Sequence, residues 1–135
     1  MSTQTTGSFI VASWDESVVG DAERYPKLAH AAITNTFSGG IEAAEVRCEY
    51  TLVYRTELTG SFTGMQLLSG TISGRKGSFA VEERGWFGAD GLIHGTFEVV
   101  AGSATDELSG LSGTGRYTTK HGESAVPYTF DYDLD

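Results

Sequence analysis

Apolar and aromatic residues recur at every second position along most of this chain, and glycines fall at or near the ends of each alternating run. The pattern is clearest over residues 60–115. Alternation of period two puts successive side chains on opposite faces of an extended strand, so it predicts antiparallel sheet with one buried face. Eight strands are expected, over 7–18, 28–38, 41–55, 61–72, 78–87, 92–101, 112–120 and 125–134. Gly39-Gly40 reads as a tight hairpin, and 73–77 and 88–91 as turns. Residues 20–27 read as a long loop or helical turn restricted by Pro26, and 102–111 as a loop with one helical turn at 104–108. Eight strands in meander order predict an all-β, closed antiparallel eight-stranded β-barrel. A two-sheet sandwich is the competing architecture, and hairpin connections between successive strands favour the barrel. One domain is expected over residues 1–135, with 1–6 as a disordered N-terminus.

A barrel has an interior, so the facing of each strand decides which residues could do chemistry. Phe79 and Val81 share a face with Glu83, and Phe62, Gly64, Gln66 and Leu68 share another. Tyr50, Leu52 and Tyr54 fall together, as do Tyr128, Phe130 and Tyr132. If these faces point inward, the lumen is an apolar, aromatic pocket holding Gln66 and Glu83, the usual form of a small-molecule site. A carboxyl desolvated among rings has a raised pKa and suits proton transfer near neutrality. Glu83, Gln66 and Tyr50 are therefore the candidate catalytic residues. Tyr54, Phe62, Leu68, Phe79, Val81, Tyr128, Phe130 and Tyr132 are the candidate ligand-binding residues. The bland alternatives are a wet Glu83 paired with Arg84 or Lys76, tyrosines that only fill the barrel, and a Gln66 amide satisfied by backbone.

Other residues offer less. Adjacent Asp15 and Glu16 must face opposite ways, so only one can enter the barrel mouth, and Trp14 reads as an outer-face residue. His30, His94 and His121 lie on separate segments without metal-ligand spacing, and His94 is out of phase with Phe97 and faces outward. No metal and no cofactor is expected. Cys48, the only cysteine, excludes an internal disulfide and reads as a small buried apolar residue. The loop GSAT at 102–105 lacks the strand-loop-helix setting of a phosphate cradle.

Composition narrows the partners. A net charge of −9, from 9 basic and 18 acidic residues, argues against nucleic acid and anionic membrane surfaces. No apolar run approaches the ~20 residues of a membrane span. The polar start MSTQTTGSF has no apolar segment of the signal-peptide kind, and a cytoplasmic location is expected. Ile10, Ala12, Val53, Met65 and Leu67 on the outer faces are too apolar to stay wet, which predicts a homo-oligomer, a dimer in the simplest case.

The segments KLAHAAITNTFSG at 27–39, GSF at 77–79, HGTFEVVAGSATDELSGLSGTG at 94–115, HGE at 121–123 and YTFDYDLD at 128–135 resemble a family of small bacterial proteins catalogued as a domain of unknown function, numbered 3224. The resemblance spans residues 7–135, and the glycine-serine loop followed by ELSGL is its most specific part. Here the loop reads GSAT where the family usually has a second glycine. That family is similar to the allene oxide cyclase barrels, which implies a calycin-like barrel of eight strands around an apolar cavity, oligomerisation, and relatives that bind or rearrange hydrophobic molecules. Two functions are expected from this: a cofactor-free cyclase or isomerase of a small hydrophobic molecule, such as a natural-product intermediate, or a non-catalytic, lipocalin-like binder. A filled barrel acting through its outer surface is the third.

Overall fold

The structure, a computed structural model, describes residues 2–134. Eight antiparallel strands follow one another around a closed barrel: β1 (Thr3–Val19), β2 (Lys27–Gly39), β3 (Glu42–Tyr54), β4 (Gly60–Ile72), β5 (Arg75–Phe87), β6 (Leu92–Val99), β7 (Ser112–Lys120) and β8 (Ala125–Asp133). This is the expected barrel, with every predicted strand present. Among the described residues no helix is long and apolar enough to cross a membrane.

The differences are local. β1 begins at Thr3, so residues 3–6, expected to be disordered, pair with β8 from Thr3 opposite Tyr132 to Thr6 opposite Thr129. The turn expected over 73–77 is only Ser73-Gly74, with φ of 53° and 79°, and the strand resumes at Arg75. Positive φ at both central residues matches the twist of the flanking strands, which is why so short a loop suffices. The helical turn expected at 104–108 is a 3-10 turn over Asp106–Leu108.

The two ends of the barrel differ. The lower end carries the hairpins after β2 and β4 and the 100–111 connection, and it is plugged: Ile41, Ile72, Leu108 and Leu111 are buried there. Backbone N–H of Thr105 bonds to Ser78 O (2.9 Å), which folds the connection under β5 and drives Leu108 into the core. The upper end carries the loops 20–26, 55–59, 88–91 and 121–124. Here β1 outruns its neighbour. It pairs with β8 only as far as Ile10 opposite Ala125, while its pairing with β2 continues to Val19 opposite Leu28.

Candidate functional site

The inward face of each strand supplies the site. In β3, β4 and β5 the alternation runs unbroken from Cys48, Gln66 and Phe79 upward, so Tyr50, Gln66 and Glu83 all point inside. Glu83, Gln66 and Asn35 are the buried polar residues, at 3%, 2% and 1% exposure. They form one hydrogen-bonded chain. Asn35 Nδ2 donates to Gln66 Oε1 (3.1 Å), and Gln66 Nε2 donates to Glu83 Oε1. The second carboxyl oxygen, Oε2, accepts from the hydroxyls of Tyr50 (2.7 Å) and Tyr117.

Two absent side chains make that convergence possible. Tyr50 stands across from Gly64, which stands across from Glu83, and a Cβ on Gly64 would lie 2.6 Å from Tyr50 Cδ1. On the other flank Tyr117 stands across from Gly95, and a Cβ there would lie 2.2 Å from Tyr117 Cζ. Each ring therefore lies flat along the barrel wall over a glycine, and the two hydroxyls meet at Glu83.

Burial is the main influence on Glu83 and holds its pKa above the usual carboxyl range, while the bonds from Tyr117, Tyr50 and Gln66 pull it back down. Burial, then the nearby Glu83 charge, hold the Tyr50 and Tyr117 phenols well above their ordinary value. These phenols are hydrogen-bond donors and not phenolates. Burial also raises the Cys48 thiol, an inert packed group as its sequence setting implied.

Above this network lies a cavity of about 560 Å³ opening at the upper end. Phe9, Tyr50, Phe62 and Tyr117 line its depth, and Trp14, Tyr54 and Phe87 line its mouth. Leu52, Ile93 and Val126 complete much of the apolar wall. The polar lining is sparse: Glu16, Glu57, Thr119 and His121, with the Thr119 hydroxyl buried and without a protein partner. At the mouth Tyr54 OH donates to Glu16 Oε2 (2.5 Å) and Trp14 Nε1 donates to Glu16 Oε1 (2.9 Å). Glu83 itself does not line the cavity, and the two tyrosines stand between.

The candidate residues sort accordingly. Tyr50, Tyr54 and Phe62 line the cavity, and Gln66 and Glu83 form the buried chain behind it. Leu68, Phe79, Val81, Tyr128, Phe130 and Tyr132 point inward but pack below the cavity. Phe130 stacks on Tyr132 (5.4 Å between ring centroids), and Tyr128 OH accepts from Ile41 N (2.9 Å). They are core of the plugged half. Trp14, expected on the outer face, turns to the cavity mouth, where it stays half exposed, because a bulge in β1 between Val11 and Ser13 reverses the facing beyond it. The same bulge selects Glu16, and not Asp15, as the acidic residue at the mouth. Sequence reasoning also missed Tyr117, Asn35 and His121. The inward parity of β7 and β2 could have signalled the first two.

The three histidines stay apart. His30 meets Glu49 on the outer wall (2.7 Å), His94 stacks on Trp86 there, and His121 sits at the mouth.

A search of curated proteins finds no match to this chain. Among solved structures, a crystal structure of a protein of unknown function from the DUF3224 family of Shewanella oneidensis MR-1 is similar at 26% identity. It covers 100% of this chain and 99% of the other, with a TM-score of 0.80. The family model described as "Protein of unknown function (DUF3224)" matches residues 5–132, nearly the whole barrel, and the chain belongs to that family.

Proposed function

We propose that this protein binds a small hydrophobic molecule in the upper half of its barrel. One observation carries the reading: the upper half of the lumen holds a hollow of about 560 Å³, walled mostly by rings and aliphatic side chains. A barrel of this size holds one small ligand. The proposed assembly is a homodimer through the outer wall, where Ile10, Met65 and Leu67 stand exposed.

A second reading, a cofactor-free isomerase or cyclase, is favoured by the tyrosines between cavity and carboxylate. Glu83 cannot touch a ligand directly, so the transfer must run through a phenol. A proton leaving the ligand would bond to the Tyr50 or Tyr117 oxygen as that phenol's own proton passes to Glu83 Oε2. Return to a different ligand atom completes an isomerisation with no change in electron count. Gln66 holds the other carboxyl oxygen, and exclusion of water from the apolar wall preserves the relay.

The neutral dye Nile red tests the cavity. Wild-type protein should take it up with brightened emission, and Ile93→Trp, which fills the half-buried wall, should lose it while circular dichroism stays unchanged. Dye uptake unaffected by Ile93→Trp would overturn the reading. With a ligand in hand, exchange of its C–H for solvent deuterium, lost when Tyr50→Phe and Tyr117→Phe are combined, separates catalysis from storage.

A further inference from the structure

Four of the side-chain donors around the cavity already have carboxylate partners, and the Thr119 hydroxyl in the wall is free. Tyr50 and Tyr117 donate to Glu83, and Tyr54 and Trp14 donate to Glu16. What these groups retain for a ligand is acceptor lone pairs and ring faces. No Lys or Arg lines the cavity, His121 is its only lining group able to carry positive charge, and Glu57 adds a second carboxylate at the mouth. Among the described residues no cation pairs with Glu16. The rim also seats an ammonium on an aromatic face: Lys27 Nζ lies 5.1 Å from the Tyr54 ring centroid and 5.4 Å from that of Tyr25.

From this arrangement, and resting on the ligand-binding reading above, we infer that the cavity selects hydrophobic amines, with the apolar body in the barrel and the ammonium at Glu16 against the ring of Trp14. A carboxylate-headed molecule of the same shape meets two acidic side chains at the mouth and phenols whose protons are already engaged, while the rim cation Lys27 is held on the Tyr54 and Tyr25 rings and, of the lining hydroxyls, only that of Thr119 is free to donate. It is rejected. An alcohol of the same shape falls between, since it can donate to Glu16 but brings no charge.

Three ligands that share a decyl chain test the inference: decylamine, decanol and decanoate, each below its micellar concentration and measured by Nile red displacement from the native protein. Decylamine should bind roughly tenfold or more tighter than decanoate, the size expected of one cation–ring and carboxylate contact. Added salt should narrow that gap. Glu16→Gln, and separately Glu57→Gln, should lower the ratio of amine to alcohol affinity. Decanoate bound as tightly as decylamine, or a ratio unmoved by Glu16→Gln, would overturn the amine preference while leaving the cavity reading intact. Failure of Nile red and all three ligands to bind would sink both.

Discussion

The most consequential residue is Glu83, because it is at once fully enclosed and fully hydrogen-bonded. Burial holds its pKa above the ordinary 4.5, so the folded chain keeps this proton more firmly than the unfolded chain does. Stability from this group is complete below about pH 4.5 and is lost as pH rises from there through the folded-state value. Glu83→Gln removes that titration and, with its oxygen kept toward the two phenols, turns an amide N–H toward Gln66 Nε2, whose lost acceptor costs about 1–3 kcal/mol. Urea unfolding between about pH 4 and about pH 8 should therefore show the variant less stable in acid, with the gap narrowing as pH rises. Parallel profiles for the two proteins would mean that Glu83 does not titrate as burial requires.

At the scale of elements, the site depends on what β4 and β6 leave out. Tyr117 reaches Glu83 because Gly95 offers no Cβ, and an added methyl would meet its Cζ at 2.2 Å and its hydroxyl oxygen at 2.4 Å. The ring is tethered at Glu83 and cannot swing clear without giving up that bond. Gly95→Ala should cost about 1–3 kcal/mol by overpacking. It should also alter the pH dependence of unfolding, since the carboxyl loses a donor. An alanine variant as stable as wild type would show that the ring has somewhere else to go.

The same elements show where sequence reading works. In β4, β5 and β8 alternation is regular, so Gln66, Glu83 and Phe130 could be faced correctly from parity alone. In β1 the bulge falls in a Val-Ala-Ser stretch that carries no glycine or proline to mark it, and Trp14 was faced wrongly. Parity also says nothing about height. Tyr132 and Tyr50 both point inward, yet one packs in the plug and the other under the cavity. That level comes from the stagger of strands on closure, a property of the whole ring and not of any one segment.

For the whole molecule, the outer wall and the open end set the remaining expectations. Leu67 is 64% exposed and Met65 and Ile10 are each 50% exposed, on strands that belong to one continuous sheet. Light scattering after size exclusion should report a dimer, and Leu67→Glu should shift it to monomer. A wild-type monomer at every concentration would remove the assembly from the proposal. The overhang of β1 past Ile10 carries a different consequence. Residues 11–19 hold the pocket on one flank with a single row of backbone bonds, to β2 alone. A guest could then enter sideways, by that ribbon lifting like a loose stave, with none of the four upper loops having to swing away. Exchange of the contents would follow the breathing of one hairpin, while the far wall and the plug stayed still.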